Sequence, residues 1–211
     1  MKSFALQHHF ETPEQQRDAS HLGLWLFLAT EFLFFGGLFM AFAVYHLLYP
    51  SEFALAGKHT NLLCGSINAA LLLTSGLTMS LAVRAIREDA ASVCCRWLVA
   101  SMAVGVAFLG VKGLEYSDDL RKHLVPGANF ALHGHNGAQI FFWLYWAMTG
   151  LHAIHMIAGL GLLGVVSWMT QRGRFSRAYS TPVELAGLYW AFVDIIWIFL
   201  FPLLYLIDRK T

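Results

Sequence analysis

The hydrophobic and polar positions divide the chain into five long apolar runs joined by shorter polar segments. The runs cover roughly residues 22–49, 62–83, 97–114, 138–170 and 183–207. A helix needs about 20 apolar residues to cross the hydrocarbon core of a bilayer, and each run approaches or exceeds that length. Because the runs lack the alternation of a membrane β-strand, we predict an all-α, polytopic membrane protein. We expect a single domain, residues 1–211, built as a bundle of five transmembrane helices.

The composition agrees with membrane embedding and narrows the range of functions. Hydrophobic residues make up 57 % of the chain and charged residues 13 %, whereas a soluble domain carries about 25 % charged residues. The net charge of +1 and the lack of a basic tract give no support to nucleic-acid binding. Cys64, Cys94 and Cys95 do not have the spacing of a zinc site or a disulfide framework.

The lysines and arginines of the connecting segments predict the orientation. If the N-terminus is inside, eight lie on inner segments and five on outer segments. The inner residues are Lys2, Arg17, Arg84, Arg87, Arg96, Arg172, Arg174 and Arg177. The outer residues are Lys58, Arg121, Lys122, Arg209 and Lys210. Since positive charge favours the cytoplasmic side, we expect a cytoplasmic N-terminus, a periplasmic C-terminus and an irregular outer loop over residues 115–137.

Glu31 is an acidic residue within the first apolar run. Ionisable side chains inside a membrane are rare and usually face the bundle interior, because they cost about 2.5–3.5 kcal/mol at a helix centre. Its neighbours one helical turn away are Phe27, Leu28, Phe34 and Phe35, and none of them can pair with a carboxyl group. A partner must come from another helix, another subunit, a lipid headgroup or water.

The fourth and fifth runs carry further polar residues near their centres. His152 and His155 are three residues apart and share one helix face, and Gly187, Ala191 and Asp194 share a face of the fifth span. Small residues allow close helix approach, and polar residues then bond across the contact. We therefore predict that the fourth and fifth spans pack at these faces and that Asp194 pairs with one of the two histidines.

The spacing of the histidines argues against a cofactor on this chain. A haem bound by two histidines needs its axial ligands on opposite faces of the ring, and His152 and His155 lie on the same helix face. Two histidines and one acid without a known mutual geometry are not enough to predict a metal site. We predict no catalytic, cofactor-binding or metal-binding residue here. Lys112 and Glu115 are three residues apart, which favours an interfacial ion pair at the end of the third span.

Four segments resemble subunit III of the haem–copper oxidases, in the short five-helix form of that family. They are HLGLWLFLATEFLFFGGLF, VAFLGVKGLEYSDDL, FFWLYWAMTGLHAIHMIAG and YWAFVDIIWIFLFPLLYL. The family pattern transfers to Glu31, Glu115, His152, His155, Trp190 and Asp194. We expect these residues to act in structure or in lipid and subunit contacts, and the resemblance makes subunit I or a lipid the first candidate partner of Glu31.

The resemblance implies a non-catalytic subunit of a proton-pumping terminal oxidase in the bacterial inner membrane. Haem and copper would lie in partner subunits, and dioxygen reduction in subunit I. The implied partners are subunit I as the main contact, subunit II and phospholipid. Small subunits and a respiratory supercomplex are also compatible with the resemblance. The implied role of this chain is to support proton uptake and the stability of the complex.

Two departures from the family pattern stand out. The long form has two additional helices before the five seen here, so the resemblance does not extend to the lipid cleft that those helices help to build. Many relatives carry histidine where this chain has Ala191. Either one hydrogen bond between helices is missing, or His152 and His155 satisfy Asp194 instead. Two other functions stay open: the related accessory subunit of a nitric oxide reductase, and a haem-b electron carrier that uses the buried histidines.

Overall fold

A computed structural model describes residues 10–127, 129–177 and 179–207, and the long regular elements in this part of the chain are helices. They are α1 (Pro13–Leu48), α2 (Pro50–His59), α3 (Leu62–Arg87), α4 (Ala91–Arg121), α5 (Asn136–Gln171), α6 (Thr181–Phe201) and a π-helical segment, Pro202–Leu206. Five helices, α1 and α3 to α6, are long and apolar enough to cross a membrane. The all-α architecture with five spans is confirmed, whereas the domain limits and the orientation of the termini stay predictions.

Two helix boundaries differ from those expected. Pro50 ends the first apolar run as predicted, but it also begins the short helix α2, because the missing N–H of proline costs no hydrogen bond in the first turn of a helix. α4 continues through Arg121, so the expectation of irregular backbone is wrong for residues 115–121. The length of an apolar run reflects the thickness of the hydrocarbon core. A helix can continue beyond this core into polar surroundings without losing its backbone hydrogen bonds.

The helices α3, α4, α5 and α6 form the centre of the bundle. α3 packs along α4, α4 along α5, and α6 contacts both α3 and α5. α1 lies against α5 and α6 but buries only Leu28, Phe35 and Phe42 among its 36 residues. Most of the apolar surface of α1 therefore faces away from the bundle.

The Trp190 ring of α6 packs directly against glycines of α4 and α5. A Cβ atom on Gly105 of α4 would lie 2.9 Å from the Trp190 ring, and one on Gly159 of α5 would lie 3.0 Å from it. The indole N–H donates a 2.8 Å hydrogen bond to the Ser75 hydroxyl of α3. The predicted packing of the fourth span against the fifth is confirmed, with Trp190 at the contact.

The prediction that the α6 face with Gly187, Ala191 and Asp194 packs on the fourth span, α5, is wrong. A Cβ atom on Gly187 would lie 2.9 Å from Val83 of α3, and one on Gly76 of α3 would lie 2.8 Å from Asp194 Oδ2. This face therefore packs on α3 and not on α5. The periodicity correctly placed the three residues on one face, but it carries no information on which helix that face meets.

Candidate functional site

Glu31 of α1 finds its partner on another helix of the same chain. Its Oε2 atom lies 3.1 Å from Nε2 of His155 on α5. The two side chains are 21 % and 16 % exposed, and the Phe35 ring contacts the imidazole edge-on with a centroid distance of 5.4 Å. Of the possible sources of a partner, another helix of the same chain supplies this contact, whereas a contact of Glu31 with subunit I or a lipid stays a prediction.

The hydrogen bonds of His155 determine how many protons this pair holds. Nδ1 lies 2.8 Å from the carbonyl oxygen of Leu151, and a carbonyl oxygen only accepts, so Nδ1–H is the donor. In a neutral ring Nε2 is then an acceptor, and it faces the carboxyl group of Glu31. A hydrogen bond between Nε2 and Oε2 therefore requires a second proton, carried either by the carboxyl group or by the imidazole ring. The pair is thus built around one shared proton.

His152 occupies a different environment one turn away. Its Nε2 lies 3.1 Å from the carbonyl oxygen of Val193 on α6, so Nε2–H is the donor and Nδ1 carries the lone pair. Among the described residues Nδ1 has no hydrogen-bond partner. The ring is 1 % exposed and packs against Phe108 and Trp197, with centroid distances of 5.4 Å and 5.1 Å.

Asp194 does not pair with either histidine. His152 bonds the backbone of Val193, and His155 bonds Glu31. Asp194 is 8 % exposed, and no described residue donates a hydrogen bond to its Oδ1 atom. The predicted pairing is therefore wrong, and Oδ1 of this buried carboxyl group has no donor among the described residues.

A second polar cluster lies inside the bundle around Lys112 of α4. The ammonium group donates to Glu115 Oε2 at 3.0 Å, to the Tyr145 hydroxyl at 3.0 Å and to the Tyr205 hydroxyl at 2.8 Å. These three contacts use all three of its N–H bonds. Tyr205 donates in turn to Glu115 Oε1 at 2.8 Å. Tyr145 lies 3.0 Å from both Glu115 Oε1 and Asp119 Oδ2.

The predicted pair of Lys112 and Glu115 is confirmed, but its surroundings differ from the prediction. Both side chains are nearly inaccessible, at 2 % and 1 % exposure, so the pair lies in the bundle interior and is not interfacial. Asp119 was missed because residues 115–121 were expected to be irregular. Its spacing from Lys112 and Glu115 was a usable signal, since steps of three and four place all three on one helix face.

The described residues contain no group of three or more histidine, cysteine, aspartate or glutamate side chains arranged to hold a metal ion. The chemistry that they do offer is proton exchange at the Glu31–His155 pair and hydrogen bonding within the Lys112 cluster. Both require neighbouring helices to be held in register.

Comparison with known proteins shows the family of this chain. The family described as cytochrome c oxidase subunit III matches residues 5–208. The chain belongs to the cytochrome c oxidase subunit III family. Cytochrome c oxidase subunit 3 of Thermostichus vulcanus is 33 % identical over 211 residues, with 98 % of this chain and 94 % of that protein covered.

Two further subunit III relatives differ in the oxidase to which their names assign them. Cytochrome c oxidase subunit 3 of Synechocystis sp. is 32 % identical, with 90 % of this chain and 76 % of that protein covered. A probable quinol oxidase subunit 3 of Staphylococcus epidermidis is 28 % identical, with 90 % of each chain covered. This subunit III is therefore similar to members that carry both kinds of name.

The subunit III residues that the resemblance identified fall at separate places in the bundle. Glu31 and His155 form one pair, whereas Glu115 belongs to the Lys112 cluster and Asp194 faces α3. His152 and Trp190 are packing and hydrogen-bonding residues between helices. Tyr145 and Tyr205 have no distinguishing signal in the sequence, because a tyrosine in an apolar run looks the same as an ordinary core or interfacial residue.

Proposed function

We propose that this chain is a non-catalytic subunit III of a haem–copper terminal oxidase in the aerobic respiratory chain of a bacterium. It lies in the inner membrane with its N-terminus cytoplasmic and its C-terminus periplasmic. Its main contact is subunit I, and subunit II belongs to the same complex. It binds phospholipid and supports proton uptake and the stability of the complex. Haem and copper belong to the partner subunits. Family membership and the oxidase names of its relatives support this proposal.

The Glu31–His155 pair is the observation that carries the proton-uptake role. It holds one proton between two side chains, and both remain partly exposed. In the proposed orientation Glu31 lies about nine residues from the cytoplasmic end of the first apolar run, which corresponds to a depth of about 13 Å at 1.5 Å per residue. A pair at this depth is suited to exchanging a proton with the cytoplasmic side and passing it towards subunit I.

The roles in lipid binding and stability draw on other parts of the bundle. α1 buries three of its 36 residues, and its outward side presents large apolar side chains such as Leu26, Leu33 and Leu47. Such a surface is suited to acyl chains. The Lys112 cluster joins α4, α5 and the π-helical segment through buried hydrogen bonds, and this arrangement supports a stabilising role.

The haem-carrier alternative conflicts with the contacts of the histidines. Nε2 of His152 faces a carbonyl oxygen, and Nε2 of His155 faces a carboxyl oxygen. Either of these nitrogens would have to give up its partner before it could bind iron. Nδ1 of His152 has a lone pair without a partner among the described residues, but that ring is 1 % exposed and packs against Phe108 and Trp197. The visible spectrum of the purified chain tests this point: a Soret band that disappears in His152→Ala or His155→Ala would overturn the cofactor-free proposal.

Copurification tests the assignment to an oxidase. The chain, tagged at one end and extracted in mild detergent, should bring down a copper-containing subunit I, and the preparation should consume oxygen. Recovery of an iron-containing nitric oxide reductase that reduces nitric oxide would replace the proposed oxidase with the alternative partner.

A substitution at Glu31 tests the proton-uptake role within the intact oxidase. Glu31→Gln keeps the size of the side chain but removes its ability to carry an ionisable proton, so we expect slower proton uptake or faster inactivation during turnover. Glu14→Gln is the matched control, because Glu14 lies on the same helix and is exposed. If both variants match the wild type in both assays, Glu31 has only a structural role.

A further inference from the structure

A surface opening of about 600 Å³ lies between the first turns of α4 and the end of α5. On α4, Arg96 lies just outside the apolar run of the third span, and Val99 lies just inside it. On α5, Gln171 lies just outside the run of the fourth span, and Thr170 is the last residue of that run. The opening therefore lies at the edge of the hydrocarbon core, which is the level of the phosphate and glycerol groups of a phospholipid.

Arg96 separates this opening from a second depression on the same helix. The second depression, of about 330 Å³, is lined by Arg96 together with the apolar side chains of Val93, Trp97 and Ala100. At about 100° per residue, the α4 residues that line the first opening lie on one side of Arg96 around the helix axis, and those of the second depression lie on the other side. The exposed side chain of Val106 continues the apolar surface of α4 towards the membrane centre. A single cationic side chain thus stands between two mostly apolar surfaces.

The charges at this end of the bundle favour an anionic ligand. The loops from α3 to α4 and from α5 to α6, with the helical turns beside them, carry more arginines than acidic residues. The arginines are Arg84, Arg87, Arg96, Arg172, Arg174 and Arg177, and the acidic residues are Glu88, Asp89 and Glu184. Two of the acids pair with arginines of this group, and the third accepts a hydrogen bond from a backbone N–H group. No described acidic residue forms an ion pair with Arg96, whose side chain is exposed.

We propose that Arg96 and the two depressions beside it bind an anionic diacyl phospholipid. The N–H groups of the guanidinium donate in pairs to phosphate oxygens, and the two acyl chains lie on either side of Arg96. The surplus of arginines favours a headgroup with net negative charge over a zwitterionic headgroup, whose ammonium group they would repel. The inference rests on the proposed function, since it names the place and the headgroup charge of a phospholipid that this subunit binds.

Cys95 lines the first opening and can report whether a lipid occupies it. The full chain is placed in nanodiscs of phosphatidylcholine with increasing mole fractions of phosphatidylglycerol, and alkylation of each cysteine by uncharged N-ethylmaleimide is followed by mass spectrometry. Cys64, near the opposite end of α3, is the control, because each thiol is compared only with itself across the membranes. We expect phosphatidylglycerol to slow the alkylation of Cys95 and to leave that of Cys64 unchanged.

Two arginine variants test whether the protection depends on Arg96. Arg96→Gln removes the guanidinium group, whereas Arg174→Gln removes an equal charge from the same end of the bundle at a residue that lines neither depression. An arginine near anionic lipid contributes about 1 kcal/mol, which is about a fivefold change in affinity. Arg96→Gln should therefore raise the mole fraction of phosphatidylglycerol that half-protects Cys95 about fivefold. Arg174→Gln should leave it near the wild-type value.

Native mass spectrometry of the same chains, released from mixed nanodiscs, gives a readout that does not depend on thiol reactivity. Retained phosphatidylglycerol should decrease in Arg96→Gln and not in Arg174→Gln. Equal retention and equal protection in the two variants would refute the site, as would equal protection of Cys95 by both lipids. Protection of Cys95 that depends on protein concentration in detergent would place a second copy of the chain on this face instead.

These outcomes are independent of the assignment to an oxidase. If the lipid site fails but the chain still brings down a copper-containing subunit I, the proposed function survives without this site. If no catalytic subunit copurifies, the proposed function fails, whereas the binding of anionic lipid at Arg96 is still decided by the nanodisc measurements on the full chain.

Discussion

Replacing Lys112 by methionine tests whether the buried polar cluster stabilises the bundle. The substitution keeps the length of the side chain but removes three hydrogen bonds, to Glu115, Tyr145 and Tyr205. It also leaves the carboxyl group of Glu115 in the interior without its cation. Removing one partner of a buried ion pair costs about 3–5 kcal/mol, so we expect a loss of that size in the free energy of unfolding.

The chain offers a matched control at the C-terminal end of the same helix, α4. Lys122 forms an ion pair with Asp118 at 2.6 Å, and both side chains are about half exposed. Surface ion pairs contribute about 0–1 kcal/mol, so Lys122→Met should have little effect on the free energy of unfolding. The comparison therefore separates the effect of burial from the effect of removing a lysine.

Denaturant titration of the full chain in a mild detergent, followed by circular dichroism, measures both variants. A double variant, Lys112→Met with Glu115→Gln, should be less destabilised than the sum of the two single variants, with a coupling of about 0.5–3 kcal/mol. The reasoning is refuted if Lys112→Met costs no more than Lys122→Met, or if the effects at Lys112 and Glu115 are additive.

Three further predictions concern helix contacts, each measured as the free energy of unfolding. Gly159→Ala should lower the stability by about 1–3 kcal/mol through overpacking, because the added Cβ would lie 3.0 Å from the Trp190 ring. Gly161→Ala is the control, since nothing lies within 4 Å of a Cβ atom at that position. Glu52→Ala should lower the stability by about 1–2 kcal/mol because it removes a helix cap. The Glu52 carboxyl group accepts hydrogen bonds from backbone N–H groups in the first turn of α5. An unchanged free energy of unfolding would refute the capping role. Trp190→Phe should cost about 1–3 kcal/mol, because the Ser75 hydroxyl loses its buried donor; a fully stable variant would count against that bond.

The fold was largely predictable because the apolar residues of a membrane span are consecutive in the sequence. Twenty consecutive apolar residues identify a span without any knowledge of its neighbours. α2 left no such signal, since its ten residues are too few to span and mix polar with apolar positions. The end of α4 was missed because hydropathy changes at the edge of the hydrocarbon core, several residues before the backbone leaves the helix.

The candidate site was less predictable because its contacts join distant segments. Periodicity placed His152 and His155 on one face, and it placed Asp194 with Gly187 on another. It could not give the rotation of each helix about its own axis relative to the others. Glu31 and His155 are 124 residues apart, so their contact depends on that rotation, and the same ambiguity produced the wrong pairing of Asp194.

The two polar centres differ in a way that matches different tasks. All three N–H bonds of Lys112 have acceptors, and the cluster is closed to solvent, so moving a proton within it would break hydrogen bonds that nothing replaces. The Glu31–His155 pair is about one-fifth exposed and keeps a single proton between two acceptors. Loss of that proton leaves two acceptors facing each other, and water reaching the exposed side can replace it. A closed network suits stability, whereas an open pair with one mobile proton suits exchange, so a defect in proton uptake should follow changes at Glu31 and not changes at Lys112 that leave the bundle folded.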